Sequence, residues 1–147
     1  MFTILAISDS DKHFSSAISE YEKRLWKSMT IENIRPCKNW DIQKIISADT
    51  EKIISFLQKK HSDYYKILLS KTWKFYSTAQ LSNVIKNKNI LFVIWWPYGL
   101  DEEKLTPFVN EKISFWAITL PHWLAKLNLL EQIYRITTIW QNKNYHY

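Results

Sequence analysis

Short apolar runs alternate along this chain with longer segments in which apolar residues recur every three or four positions. The short runs predict strands at residues 2–7, 30–34, 65–69, 90–94 and 114–120. The helical spacing predicts helices at residues 13–27, 41–60, 77–85, 102–110 and 121–139, the third opening on the capping box of Ser77 to Gln80. This alternation predicts one α/β domain over residues 1–147, with a mainly parallel sheet of five or six strands covered by helices on both faces.

The ends of three predicted strands carry the segments in which a ligand site is expected. They are LLSKTWK (68–74), FVIWWPYG (92–99) and SFWAITLPH (114–122). In parallel sheets ligands bind beyond the carboxyl ends of the strands, where the strand order reverses. The sequence therefore predicts a ligand site where these three segments meet.

The last predicted helix has apolar residues on more than one face. They are Leu124, Leu127, Leu129, Leu130, Ile133, Tyr134 and Ile136. A helix packed only on its own sheet needs one apolar stripe. A second copy of the chain would cover the surplus, so the sequence predicts a homodimer.

Charge and cysteine content indicate the kind of partner and the cellular compartment to expect. The net charge of +6 and the pI near 9.3 favour a nucleic acid partner, although a lysine-rich solvated surface is the simpler alternative. Cys37 is the single cysteine, so neither an internal disulfide nor a cysteine-based zinc site is expected, and a reducing cytoplasm is predicted. The four histidines are dispersed, which predicts no metal site. No apolar run approaches the roughly 20 residues of a membrane-spanning helix.

Glycine and tryptophan are present in unusual numbers. The chain has one glycine and eight tryptophans, whereas average usage of about 7% would give roughly ten glycines. Glycine is needed where the backbone adopts positive φ or approaches a ligand closely. Two adjacent tryptophans, Trp95 and Trp96, stand at the turn after the fourth predicted strand, where such a backbone is expected.

Five segments together resemble the RlmH (YbeA-type) family of SPOUT methyltransferases. In chain order they are EYEKRLW (20–26), LLSKTWK (68–74), FVIWWPYGL (92–100), FWAITLPHWLAKLNLLEQIYR (115–135) and NYHY (144–147). That family methylates N3 of a pseudouridine in large-subunit (23S) ribosomal RNA. The resemblance implies a deep trefoil knot, a homodimer, S-adenosyl-L-methionine as cofactor and the assembled ribosome as partner.

The resemblance also implies a cofactor pocket built largely from main-chain groups. The pocket residues would be Leu69, Trp95, Trp96, Gly99, Phe115, Trp116, Ala117, Ile118, Thr119 and Leu120. Core packing is the alternative role for Phe115, Ile118 and Leu120.

Methylation at N3 removes an imide proton, so the reaction needs a proton acceptor or relay. The resemblance suggests His122, Tyr145 and His146 for this step, with Arg135 binding phosphate or orienting the tail. A structural hydrogen bond at a helix start is the alternative for His122, and an ion pair with Glu131 is the alternative for Arg135.

The chain departs from the family at glycine positions. Trp26, Trp73, Trp95 and Trp96 stand where the family usually has glycine, whereas Gly99 is kept. We hypothesise that many or all of the eight tryptophans are encoded by UGA and that the organism reads this codon as glycine. UGG codons at positions 95 and 96 would refute this hypothesis, and the codon at position 95 is the most useful single observation. The rival hypothesis is that the organism does insert tryptophan at these positions. The chain would then be an RNA- or ribosome-binding pseudoenzyme. A related knotted methyltransferase acting on tRNA is a third possibility.

Overall fold

The computed structural model describes residues 1–8, 14–71, 73–95, 98–115 and 120–145. Its strands are β1 (Phe2–Ile7), β2 (Met29–Ile34), β3 (Tyr65–Leu69), β4 (Ile90–Ile94) and β5 (Glu111–Ile113). Its helices are α1 (Ser15–Leu25), α2 (Ile42–Lys59), α3 (Thr78–Ile85), α4 (Glu102–Leu105) and α5 (His122–Trp140), with a 3₁₀ turn at Thr106–Phe108.

The strands form a single parallel sheet in the order β2-β1-β4-β3-β5. Every residue of β1 and β4 is buried, because both strands are central and helices cover both faces of the sheet. Parallel strands buried in this way consist of continuous apolar residues. This explains why the apolar runs at 2–7 and 90–94 predicted their bounds correctly.

Helices cover the two faces of the sheet in separate groups. On one face α1, α3 and α5 pack on a core that includes Ile4 and Phe92. On the other face α2 and α4 pack on a core that includes Leu5 and Val93. Alternate residues of the central strands thus serve opposite cores, as the period of two along a strand requires. The predicted α/β class is confirmed.

The predicted fifth strand, residues 114–120, is not formed at its described residues, which are 114, 115 and 120. The strand β5 lies earlier, at Glu111–Ile113, and Ser114 forms only an isolated bridge with Phe75. Since β5 is an edge strand with β3 as its one neighbour, it accommodates the half-buried Glu111 and Lys112. An apolar run therefore did not mark it. Residues 116–119 lie outside the described part of the chain.

The helix α3 begins with the predicted capping box. The Ser77 hydroxyl accepts a hydrogen bond from the Gln80 backbone N–H at 3.2 Å, and the Gln80 side chain accepts one from the Ser77 N–H at 2.9 Å. Two backbone donors at the exposed helix end are thereby satisfied.

Ser77→Ala is expected to lower the free energy of unfolding by about 1 kcal/mol, because it removes the cap oxygen. For a domain of this size the melting temperature should fall by about 3 °C. Thermal unfolding followed by circular dichroism measures the change. The matched control is Ser47→Ala, an exposed position inside α2, where alanine improves helix propensity. Equal melting temperatures for Ser77→Ala and the unsubstituted chain would contradict the assignment of the cap.

The helix α5 lies between α1 and α3 and buries Leu129, Leu130 and Ile133 in the core. Leu124 and Leu127 are only partly buried. The apolar surplus of this helix is therefore not fully covered within one chain, and the homodimer stays a prediction. None of the helices in the described ranges has the length and apolar character needed to cross a membrane.

Candidate functional site

The carboxyl ends of β3 and β4 lie side by side and form what we call the carboxyl edge. Leu68 pairs with Val93, so Leu69 and Trp95 continue from adjacent strands. The indole N–H of Trp95 donates a hydrogen bond to the Leu69 carbonyl. The Lys71 ammonium lies 4.5 Å from the centroid of the Trp95 ring. The indole therefore covers main-chain groups of the pocket in which the resemblance places the cofactor.

Gly99 turns the chain after β4. Its φ of +92° lies in the left-handed region, which residues with a Cβ rarely adopt. A Cβ at this position would stand 3.6 Å from Cζ3 of Trp95, at ordinary contact distance. The one glycine of the chain is thus required by backbone conformation rather than by lack of space.

A serine and a glutamate that the sequence analysis did not predict as site residues stabilise the carboxyl edge. The Ser70 hydroxyl donates to the Glu102 carboxylate, with oxygen separations of 2.9 and 3.0 Å. The Lys112 ammonium lies 4.0 Å from the same carboxylate. These contacts join the end of β3 to the first turn of α4 and the edge strand β5. Ser70 and Glu102 lie 32 residues apart in sequence, so no local motif could have indicated their contact.

The structure brings three of the predicted pocket residues together: Leu69, Trp95 and Gly99. Phe115 follows β5 and packs against the core, and Leu120 is partly buried just before α5. The other predicted pocket residues lie outside the described part of the chain: Trp96, Trp116, Ala117, Ile118 and Thr119. The alternative role of Phe115 in core packing is confirmed.

His122 is the first residue of α5 and is partly buried. This helix runs back across the sheet and places Trp140 against Phe2 at the start of β1, with the ring centroids 6.2 Å apart. Its first turn therefore lies toward the carboxyl edge. In the described ranges no three His, Cys, Asp or Glu side chains converge as a metal site would require. The described residues at this edge offer main-chain groups, the pair of Ser70 and Glu102, two lysine ammonium groups (Lys71 and Lys112) and the His122 imidazole.

Arg135 is paired with Glu131, one helical turn earlier. Its Nη2 and Nε atoms lie 2.7 and 2.9 Å from Oε1 of that carboxylate. The alternative interpretation of Arg135 as an ion-pair partner is therefore confirmed. Its guanidinium carbon also lies 5.2 Å from the centroid of the Tyr145 ring, so the side chain holds the tail as well. His146 lies outside the described residues.

Three tyrosines fix the described end of the tail on α1 and α5. The rings of Tyr134 and Tyr145 meet edge to face with centroids 4.8 Å apart, and Tyr21 meets Tyr134 at 5.9 Å. From His122 to Tyr134 the helix rises by about 18 Å, at about 1.5 Å per residue. A single chain therefore does not bring Tyr145 and Arg135 to His122.

Burial, followed by a hydrogen bond with the Tyr145 phenol, raises the pKa of Tyr21 to about 12. Because the folded-state pKa lies above the ordinary value of 10.0, this group stabilises the fold fully below about pH 10. That contribution is lost as the pH rises toward 12, since the unfolded chain releases the proton first.

Tyr145→Phe is expected to lower the pKa of Tyr21 toward its ordinary value, because it removes that hydrogen bond while burial remains. Phenolate absorbance, recorded against pH with and without Tyr21→Phe in the same background, isolates this group. The control Tyr98→Phe removes an exposed ring and should leave the pKa of Tyr21 unchanged. An unchanged pKa of Tyr21 in Tyr145→Phe would show that the tail is not docked on α1.

Residues 1–146 match a protein-family model described as "Predicted SPOUT methyltransferase". The chain therefore belongs to the SPOUT methyltransferases, enzymes that take a methyl group from a donor. Among its relatives are proteins named Ribosomal RNA large subunit methyltransferase H. That of Mycoplasma mycoides subsp. mycoides is 34% identical, with 97% of each chain covered. That of Pseudothermotoga lettingae is 34% identical over 98% of this chain and 97% of its own. That of Xylella fastidiosa is 32% identical over 90% and 87%, respectively. The family resemblance of the sequence is confirmed.

Proposed function

We propose that this chain uses S-adenosyl-L-methionine to methylate N3 of a pseudouridine in large-subunit (23S) ribosomal RNA. Its setting would be the cytoplasm and its substrate the assembled ribosome. The observation that carries the proposal is the match to ribosomal RNA methyltransferases over 97% of both chains. The net charge of +6 suits a polyanionic substrate.

The chain as written does not fit the cofactor at the carboxyl edge. The Trp95 indole donates a hydrogen bond to the Leu69 carbonyl and its ring covers that group, so an adenine could not approach the carbonyl while the ring is in place. A glycine at position 95 would free the carbonyl and remove the ring. The fit therefore depends on which residue the organism inserts there.

Solvent exposure supports glycine at several tryptophan positions. Trp26 is 70% exposed, Trp73 is 50% exposed and Trp40 is fully exposed, although tryptophan is highly buried on average. Trp140 differs, because its N–H donates to the Ser82 hydroxyl at 2.9 Å and its ring lies against Phe2. We therefore infer UGA codons at positions 26, 40 and 73, and a UGG codon at position 140. Position 95 joins the first group for a different reason, because its indole covers the proposed cofactor site.

The cofactor would supply the methyl group, and side chains of this protein would handle the imide proton. His122 is the candidate acceptor in the chain that holds the cofactor. Tyr145, His146 and Arg135 would come from a second copy, because one chain holds Tyr145 and Arg135 about 18 Å from His122 along α5. A trefoil knot at the carboxyl edge belongs to the same proposal.

The start of α5 offers a surface for the second copy. The rings of Phe14 and Trp123 stack with centroids 4.5 Å apart, and Phe14 is 51% exposed. Leu124 and Leu127, also partly exposed, lie in the same part of α5. An apolar surface of this kind is typical of a subunit contact.

Transfer of radiolabelled methyl groups tests the proposed function. Ribosomes, deproteinised 23S ribosomal RNA and bulk tRNA are each incubated with labelled S-adenosylmethionine and the protein carrying Trp95→Gly/Trp96→Gly, in which the proposed cofactor site is open. The labelled nucleoside is identified by mass spectrometry. We expect N3-methylpseudouridine in the large-subunit RNA of ribosomes. Label confined to tRNA would support the tRNA methyltransferase, and no label in any sample would support the pseudoenzyme.

A further inference from the structure

A groove rich in cations lies at the opposite end of the sheet, which we call the amino edge. Two clefts of about 720 and 510 Å³ meet there and share the segment Asn87, Lys88 and Asn89. The larger cleft is lined by the end of α1, the start of β1 and the end of α5, and the smaller by the start of β3. Together the two clefts form one groove across the edge, the amino-edge groove.

The charge of this groove is predominantly positive. Its lysines and arginine are Arg24, Lys27, Lys66, Lys88 and Lys143. Asp63 is the single carboxylate among the residues that line the two clefts. A surface with this composition concentrates anions.

Three of these cations are available to a ligand. Lys27, Lys88 and Lys143 are exposed, and no carboxylate of the described ranges forms an ion pair with them. The Lys88 ammonium lies 4.0 Å from the Tyr65 ring centroid, which holds it at the junction of the two clefts. Arg24, in contrast, forms an ion pair with Glu20, with Nη2 of the arginine 2.8 Å from Oε1 of the carboxylate. The three free ammonium groups line a groove rather than a flat surface.

Uncharged groups in the groove suit a nucleic acid backbone. Asn87, Asn89 and Asn110 line it with side-chain amides, which can donate to phosphate oxygens or pair with ribose hydroxyls. The Lys27 ammonium lies 5.2 Å from the centroid of the Trp26 ring, a contact that glycine at position 26 would remove while leaving the charge in the groove. Lys88 is held by Tyr65 instead.

The groove is too far from the carboxyl edge to receive the base that is methylated. A strand of five residues spans about 17 Å, at about 3.3 Å per residue. A ligand in the groove must therefore be another part of the same substrate or a different molecule. A ribosomal RNA is long enough to reach both edges.

We infer that the amino-edge groove is a second RNA-binding surface, which holds backbone phosphates of ribosomal RNA away from the target nucleotide. The inference rests on the proposed function, and it adds the location of a second contact between the protein and its RNA substrate. Lys27 and Lys88 each neutralise a phosphate, and binding releases the counterions of those phosphates.

The test compares two double variants of the full chain with equal loss of charge. Lys27→Ala/Lys88→Ala removes two groove lysines, whereas Lys38→Ala/Lys44→Ala removes two exposed lysines near the start of α2. The chain with its lysines unsubstituted, the variant and the control all carry Trp95→Gly/Trp96→Gly, which opens the proposed cofactor site. Each is assayed for methyl transfer to ribosomes, and for binding to deproteinised 23S ribosomal RNA at several salt concentrations.

The groove variant should raise the KM for ribosomes by about tenfold, with kcat and the KM for S-adenosylmethionine unchanged. The slope of log Kd against log salt for 23S RNA should become shallower by about two, one for each lost phosphate contact. The control should behave like the unsubstituted chain. A merely structural role would instead lower kcat or the melting temperature.

Failure of the inference is distinguishable from failure of the proposed function. If the unsubstituted chain methylates ribosomes and the groove variant has the same KM and salt slope, the second RNA surface is refuted and the function stands. A loss on ribosomes that disappears on deproteinised RNA would assign the groove to a ribosomal protein. Binding of vesicles with one third anionic lipid, lost in the groove variant while KM is unchanged, would assign it to membranes. Both of these outcomes contradict the inference.

Discussion

Trp95→Gly/Trp96→Gly is expected to raise the affinity for S-adenosylhomocysteine by about 100-fold or more. The indole of Trp95 is bonded to the Leu69 carbonyl and lies against Gly99, so it occupies the space proposed for the adenine. Removing it opens that space and frees a hydrogen-bond acceptor, and 100-fold corresponds to about 2.8 kcal/mol. Trp96 is replaced too, because the resemblance places the second family glycine there.

Isothermal titration calorimetry measures this affinity for the sequence as written and for the double variant. Trp140→Gly is the matched control, since it also exchanges an indole for a hydrogen. It should lower the melting temperature without improving binding, because Trp140 is hydrogen-bonded to Ser82 and packs on Phe2. Tight binding by the sequence as written would remove the case for glycine at position 95.

His122→Ala is expected to reduce kcat for methyl transfer to ribosomes by about 10²- to 10³-fold, the range typical of a lost general base. The affinity for S-adenosylhomocysteine should stay within about threefold, since main-chain groups supply the proposed cofactor contacts. Single-turnover transfer, measured in a background that binds cofactor, separates the chemical step from binding. If His122 accepts the proton, the increase of the transfer rate with pH that a general base produces should be absent in His122→Ala.

The control for His122 is His61→Asn. His61 pairs with Glu32 at 3.2 Å and has a φ of +54°, a backbone conformation that asparagine tolerates. Its replacement should leave kcat unchanged. A decrease of only a few-fold in His122→Ala would assign the histidine to the structural role at the helix start and direct attention to Tyr145 and His146.

The secondary structure could be predicted from the sequence where a strand is buried on both faces and must therefore be apolar. The central strands β1 and β4 are buried on both faces and are apolar except for Thr3, so their bounds were predicted to the residue. Edge strand β5 has one neighbour and carries Glu111 and Lys112, so a search for apolar runs placed it too late. An edge strand cannot be found in this way, because its open side faces solvent and tolerates polar residues.

The candidate site could be predicted only in part, for a related reason. Its location at the carboxyl edge follows from parallel topology, and the turn at Gly99 follows from the conformation that glycine permits. The bond between Ser70 and Glu102 and the shared lining of the amino-edge groove depend on pairs far apart in sequence. The docking of Tyr145 on Tyr134 and Tyr21 is another contact of this kind.

The central claim is that the cofactor lies on bare main chain at the ends of β3 and β4. A crystal structure of the protein purified from its own organism, soaked with S-adenosylhomocysteine, tests this most directly. We expect glycine at position 95 and the adenine hydrogen-bonded to the Leu69 carbonyl. An indole at position 95, still bonded to that carbonyl and with no ligand beside it, would contradict the claim.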